Sequence, residues 1–490
     1  MMKIKLKLIL FISIIITQFS CSEWMDLKPP QGLIREEFWQ TKEDVEAVVM
    51  AAYDSFRRMD GKLFKLGEIR ADMVIGDNNQ SGNEQKIMEG NIYPENWLCR
   101  WNEFYEVINF CNEVIKNASS VQDIDNTFTN YQLQGYLAEA HFLRALTYFY
   151  LVRIYKDVPL VLEPTETDDT QFYFPKTSGD EILEVMVKDL EQYRPVITAD
   201  GYTTLIENKG RATKGAFDAL LADIALWQFD YEAVINHVEN IERSENYILL
   251  KSARWFELFY PGNSAEGIFE LQFNNYLNQR NSLYGLTQRF GYNYDPSQQA
   301  IEMFSKEFAR ELYRGEDISI ARFGEDDFII WKYVGRAPDG ESTRPASIQN
   351  SANFIIYRYA DVLLMKAEAL SQLGRFNEAL TIINGIRERA DVAPVSLPDS
   401  KTAYEDAILQ ERALELAFEG KRWFDLLRMG RRDNYARKSK LIDILVSNVP
   451  STQKRILATK LTNPLGWYLP IHETEIERNK NLDQNPYYIF

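Results

Sequence analysis

Over most of the chain, apolar residues recur three and four positions apart, the period of helices that bury one face. Val45, Val48, Val49 and Ala52 form such a stripe just after Thr41-Lys-Glu-Asp44. Thr41 is the expected N-cap, and Asp44 fills the acidic position of a capping box. A second helix is predicted from near Trp97, with Trp101, Tyr105, Ile108, Asn112 and Ile115 on one face. A third is predicted from about Tyr131 to Tyr155, with Ala138, Phe142, Ala145, Phe149 and Val152 inward and Pro159 beyond its end.

Two later segments have the spacing of helical hairpins. Ala222, Ala225, Tyr231, Val234, Val238 and Ile241 fit a tetratricopeptide hairpin and a generic one equally. Ala367, Leu370, Gly374, Phe376, Ala379, Ile383 and Ile386 follow the tetratricopeptide order of small, large, Gly, aromatic and Ala. The small residues let the helices approach, and Gly374 suits the turn. Neither hairpin buries its apolar face alone, so the two are expected to stack with the other helices. Three stretches lack this period and read as irregular: 60–97, 245–350 and about Asn434 to Leu465. The middle one is dense in Tyr, Phe, Asn, Gln and Gly, and irregular stretches of that length usually carry function. The fold class predicted is mainly α, a tetratricopeptide-like helical-hairpin scaffold with long irregular ligand-binding insertions.

The N-terminus has its own pattern. Lys3, Lys5 and Lys7 precede an apolar run from Leu8 to Ile16, which ends at Thr17-Gln-Phe-Ser20 and Cys21. This is the layout of a secretory signal peptide, too short to span a bilayer. A Cys after a small residue at that point resembles a bacterial lipobox, so Cys21 is the expected lipidation site and 1–20 the expected signal peptide. Pro29-Pro30 stiffen the tether expected over 21–40. Residues 1–20 hold three Lys and no acid, so removing them takes the net charge from −17 to −20. That balance argues against nucleic acid as a partner. Cys99 and Cys111, if on one helix, stand about 18 Å apart along its axis and cannot bridge.

Catalytic and metal motifs are sparse. His141, His237 and His472 are scattered, without His-Glu-x-x-His, and no Walker, dinucleotide or Gly-x-Ser-x-Gly pattern occurs. No metal site is expected, though Asp77-Asn-Asn-Gln-Ser-Gly82 has some features of a calcium loop. Glu411, Glu415 and Glu419 recur every four residues. Acids in register beside Arg422 and Arg428 more often form ion pairs between segments than a glycosidase dyad.

Three segments carry a family resemblance. They are Tyr357-Arg-Tyr-Ala-Asp-Val-Leu-Leu-Met-Lys-Ala-Glu-Ala-Leu, Gln410-Glu-Arg-Ala-Leu-Glu-Leu-Ala-Phe-Glu-Gly-Lys-Arg-Trp-Phe-Asp-Leu-Leu-Arg, and Trp467-Tyr-Leu-Pro-Ile-His-Glu-Thr-Glu-Ile-Glu-Arg-Asn with Leu482-Asp-Gln-Asn-Pro-Tyr. They resemble, in order, motifs of the SusD/RagB family, with His472 where the family usually has Pro. The resemblance implies a lipid-anchored, surface-exposed outer-membrane protein. It would bind an oligosaccharide or other nutrient oligomer, work with a TonB-dependent transporter, and need no cofactor or catalysis. It divides the chain into an N-terminal helical region over 41–244, a ligand-binding segment over 245–350 and a C-terminal region over 351–490.

A sugar site stacks C–H faces on aromatic rings and bonds hydroxyls with Asn, Asp, Gln or Arg. On residue type and segment, Trp97, Arg100 and Asn102 are the first candidates, with Asp72 as a polar partner. Tyr284, Tyr292, Tyr294 and Trp331 are the candidates from the second irregular stretch. Trp101, in line with Tyr105, is assigned to the core. Two other functions fit the sequence: an all-α glycoside-processing enzyme, and a scaffold that binds peptides in the 367–386 hairpin.

Overall fold

The computed structural model describes residues 38–76, 82–165, 173–197, 201–288, 294–305, 314–323, 327–335 and 344–489. The expected signal peptide, Cys21, most of the tether, nearly all of the calcium-like loop and Tyr292 lie outside them. Helix α1 (Lys42–Arg57) starts with the expected box: Thr41 Oγ1 accepts the Asp44 N–H, and Asp44 accepts the Thr41 N–H at 2.7 Å. Helix α2 (Asp60–Glu68) follows in a stretch expected to be irregular. Strand β1 (Val74–Gly76) and helix α3 (Gly82–Met88) come next. The second predicted helix begins later than expected. Trp97–Cys99 form one 3-10 turn, and α4 runs from Asn102 to Ile124.

Helix α5 (Asn130–Tyr155) lies within a residue of its predicted span and is capped by a Thr129–Gln132 box. Every residue from Leu137 to Tyr155 is buried. The helix is enclosed on all sides and forms the centre of its domain, and the charges it buries are paired: Glu139 with Arg211, Arg144 with Asp189 and Arg153 with Asp223. Helices α1 and α4 pack on one side of it, and α6 (Gly179–Tyr193) packs on another. Strands β2 (Val158–Pro159) and β3 (Lys176–Thr177) pair beside it, and α7 (Leu205–Gly210) precedes the first hairpin.

Both hairpins are present. Helices α8 (Lys214–Gln228) and α9 (Tyr231–Arg243) turn through Phe229, a left-handed residue at φ 65°. In the C-terminal hairpin, Gly374 does this at φ +77°. The second hairpin stacks on α8 and α9, so the pair buries its faces jointly, as expected. Between the hairpins, β4 (Gly267–Leu271) is central. Next come α10 (Leu283–Thr287), β5 (Tyr294–Pro296), α11 (Gln298–Ser305), β6 (Ile320–Arg322), β7 (Phe328–Ile330) and β8 (Phe354–Arg358). Each sheet has two antiparallel strands, β1 with β5, β4 with β8 and β6 with β7. The 245–350 segment is therefore sewn to both ends of the chain.

The second hairpin consists of α12 (Tyr359–Gln372) and α13 (Phe376–Arg389), followed by α14 (Lys401–Glu415) and α15 (Arg422–Tyr435). The acid series extends past one helix: α14 stops at Glu415, and Phe418 (φ 65°) and Gly420 (φ 73°) turn the chain so that Glu419 lies beyond it. The three acids nonetheless meet arginines. Arg358 bonds Glu415 at 2.7 Å and Glu419 at 2.9 Å, and Arg314 bonds Glu411 at 2.6 Å. Lys332 bonds Glu419 at 2.8 Å, and all these side chains are buried. Two helices, α16 (Lys438–Ser447) and α17 (Ser451–Leu461), occupy the last stretch expected to be irregular, and α18 (Glu473–Arg478) precedes the C-terminus.

Candidate functional site

Helix α2 organises the candidate residues. All of it is buried except Lys65, because other segments cover it on several sides. At its far end Gly67 lies against Gly420, with no room for a Cβ, and Glu68 accepts the Gly420 and Lys421 N–H groups at 2.8 and 3.2 Å. The candidate surface lies on its two flanks.

One flank carries Trp97, Arg100 and Asn102. Asn96 caps the 3-10 turn by accepting the Leu98 N–H at 3.1 Å, and its amide holds the Asn83 carbonyl at 2.8 Å. This fixes Trp97 at the head of the turn, half-buried, with Lys65 Nζ 4.9 Å from its ring. Lys65 also pairs with Glu84 at 2.6 Å. Arg100 is exposed, and its Nε donates to His472 Nε2 at 3.3 Å. Its carbonyl accepts Lys62 at 2.8 Å and the Tyr155 hydroxyl at 3.1 Å. Asn102, the first residue of α4, is exposed. Trp101 is only 4% exposed and packs edge-on against Tyr105 and Tyr155, as its helical phase predicts.

The other flank is built by α10 and the turn before it. Gly61 of α2 leaves space for Ser282, whose N–H and hydroxyl both bond Asp60, at 2.6 and 2.9 Å. Tyr284 follows, half-buried. Asn274 pairs with Gln279 across a tight turn and caps Tyr276, while the Asn275 N–H donates to the Ser351 hydroxyl at 3.0 Å. This turn holds Tyr276 at 76% and Leu277 at 68% exposure. Tyr260, partly buried, lies under the Arg344 guanidinium at 5.4 Å, and burial pulls Arg344 down to about 10. Sequence reasoning missed Tyr260 and Tyr276. The paired asparagines around Tyr276-Leu277 were the available signal, since Asn favours turns and a turn projects what it carries.

The other candidates are separate. Asp72 is fully buried, with its carboxylate in a two-pronged bond to Arg422 at 2.7 and 2.8 Å, so its expected role as polar partner of Trp97 gives way to a structural one. Tyr294 is likewise interior at 1% exposure, packed on Phe64 and paired through β5 with Gly76, so it is not presented to a ligand. Trp331 is half-buried, with its indole closed by Gly335. Among the described residues no group of three or more His, Cys, Asp or Glu could hold a metal ion. His141 and His237 sit in pairs with Asp189 and Asp218. Cys99 and Cys111 are free and buried, and burial pushes each thiol up to about 12. No described helix is long and apolar enough to cross a membrane.

The SusD family model matches residues 325–488, and a model described as starch-binding, associating with outer membrane, matches 23–226. The chain belongs to the SusD/RagB family. It is 29% identical over 471 residues to the SusD-like protein P38 of Formosa agariphila, covering 84% of this chain and 88% of that one. A Bacteroides vulgatus SusD superfamily structure superposes with TM-score 0.77 at 22% identity, over 92% of this chain and 100% of that one. A structure described as a laminarin-binding SusD-like protein gives 0.71 at 21% identity, over 91% and 99%.

Proposed function

We propose that this protein captures a glycan at the cell surface and presents it to a TonB-dependent outer-membrane transporter without cleaving it. The observation that carries the reading is the exposed aromatic and polar surface on the two flanks of α2: Trp97, Arg100 and Asn102 on one, Tyr284, Tyr276 and Tyr260 on the other. Half-buried rings beside Arg and Asn suit the C–H faces and hydroxyls of a sugar chain. The family's outer-membrane description and the laminarin-binding neighbour support a glycan as ligand and a β-glucan as the first one to try. The acids that would serve a glycosidase, Glu411 and Glu415, are instead engaged by Arg314, Arg358, Arg387 and Arg389. In this reading residues 1–20 are removed, Cys21 is acylated, and the segment to residue 40 tethers the body to the membrane.

Affinity purification of the protein from outer membranes, with mass spectrometry of what remains bound, tests the assembly. A stoichiometric TonB-dependent barrel is the expected partner. Recovery of the protein alone, in detergents that keep other membrane complexes intact, would oppose the reading. A Cys21→Ala variant should leave the membrane fraction.

A further inference from the structure

A pocket of about 270 Å³, which Trp97 does not line, lies between α4, the 159–165 segment and α18. Its size is near the lower end of small-molecule sites. The floor is aromatic: Tyr105 and Phe174 are half-buried, with Trp101 behind them. The walls are held by saturated amides. Asn112 donates to the Val161 and Glu163 carbonyls at 3.0 and 3.3 Å and accepts from Arg144 at 2.8 Å. Asn479 donates to the Phe174 carbonyl at 2.7 Å and accepts the Asn481 N–H. The Tyr105 hydroxyl is engaged by the Pro159 carbonyl at 2.7 Å.

The rim is unlike the walls. Glu475, half-buried, and Arg478, exposed, both line the pocket from one turn of α18. Among the described residues they form no ion pair with each other or with any other group, and neither side chain has a hydrogen-bond partner. Elsewhere in this molecule acids and arginines at such spacing are joined, as Arg375 and Glu378 are at 2.7 Å. Asn109 accepts the Thr165 N–H at 2.8 Å through its carbonyl, which leaves its amide donor over for a ligand. An aromatic floor, a spare carboxylate, a spare guanidinium and a spare amide together offer one apolar face and both acceptors and donors.

We infer that this pocket is a second ligand site, for a single neutral pyranose unit stacked on Tyr105 and Phe174, its hydroxyls shared among Glu475, Arg478 and Asn109. The sugar class rests on the capture reading; the site itself does not involve the α2 surface. Neutral sugars suit it better than charged ones, because the carboxylate and guanidinium offset each other.

The test is saturation-transfer NMR on the intact protein, in a detergent without sugar head groups and in a Trp97→Ala background, which removes the main ring of the α2 surface. The probes are glucose, galactose, mannose, glucuronate and leucine. At least one neutral hexose should show transfer, and adding Glu475→Ala with Arg478→Ala should cut it at least fivefold. Transfer unchanged by that double substitution, transfer to no neutral hexose, or transfer only to glucuronate or leucine would each overturn the inference. Failure of the capture reading would show elsewhere, as oligosaccharide binding indifferent to Trp97.

Discussion

Asp72 and Arg422, 350 residues apart, face each other as two planar groups joined by two parallel hydrogen bonds, 2.7 and 2.8 Å long, in the protein interior. The pair ties the chain just before β1 to the first residue of α15. Its surroundings are complete: Gln299 also donates to the carboxylate, and Arg422 also bonds the Leu409 carbonyl. Removing one partner of such a pair leaves a buried charge without compensation, at about 3–5 kcal/mol. Asp72→Ala should therefore lower unfolding stability by that amount in urea, and Arg422→Lys, which loses the fork, should also be costly. A stable Asp72→Ala protein with weakened ligand binding would return Asp72 to the binding surface.

Stability should depend on pH through two buried acids of opposite sign. Burial pushes the Glu68 carboxyl up to about 8, from an ordinary 4.5, despite the two N–H groups it accepts. Between those values the folded protein holds a proton that the unfolded chain has released. Stability falls as pH rises through this window, by up to about 1.4 kcal/mol per pH unit. Burial also works to raise Glu368, but Arg428 and Arg432 outweigh it and hold it down at about 2. Its contribution is full above the ordinary 4.5 and is lost as pH falls towards 2. Urea titrations across the range should show Glu68→Gln flattening the alkaline limb and leaving the acid limb alone. Parallel profiles for the two proteins would contradict this.

Two glycines should differ sharply in tolerance. Gly374 turns a hairpin at φ +77° with nothing near its missing Cβ, so Gly374→Ala meets only backbone strain, about 1–2 kcal/mol. At Gly67 a Cβ would overlap the Gly420 carbonyl, backbone against backbone. Gly67→Ala should cost about 3 kcal/mol or more. Thermal unfolding of the two variants, with the larger loss at Gly67, is the expected order.

Much of the scaffold was legible from the sequence. Helix α5 was readable because it is long and keeps its period, and the Gly374 hairpin because its turn needs a left-handed residue and Gly is there. The first hairpin turns through Phe229, which no turn rule selects. Helix α2 was hidden by Gly61 and Gly67, which read as loop residues but are small because Ser282 and Gly420 press against them. Helices α16 and α17 bury only Leu441 with Leu445 and Leu457 with Leu461, too few positions to form a readable stripe. The site was harder. An Asp in a loop reads as exposed, and the arginine that buries Asp72 is distant in sequence. Tyr276 escaped notice because its exposure comes from a single turn.

The exposed ring is predicted to matter more than its neighbours suggest. A central aromatic contact that acts as a binding hot spot is worth about 1.4 kcal/mol or more, which is about tenfold or more in affinity. Tyr276→Ala should therefore weaken glycan binding about tenfold without lowering the melting temperature, since the ring covers little of the core. Unchanged affinity would remove this turn from the binding surface.

The most direct measurement is calorimetry of the protein with a panel of oligosaccharides, laminari-oligosaccharides first, followed by chromatography of the recovered sugar. The account predicts that one glycan class binds, that Trp97→Ala weakens it about tenfold or more, and that the sugar is recovered intact. Shortened sugar in the recovered sample, or binding indifferent to both Trp97 and Tyr276, would contradict it.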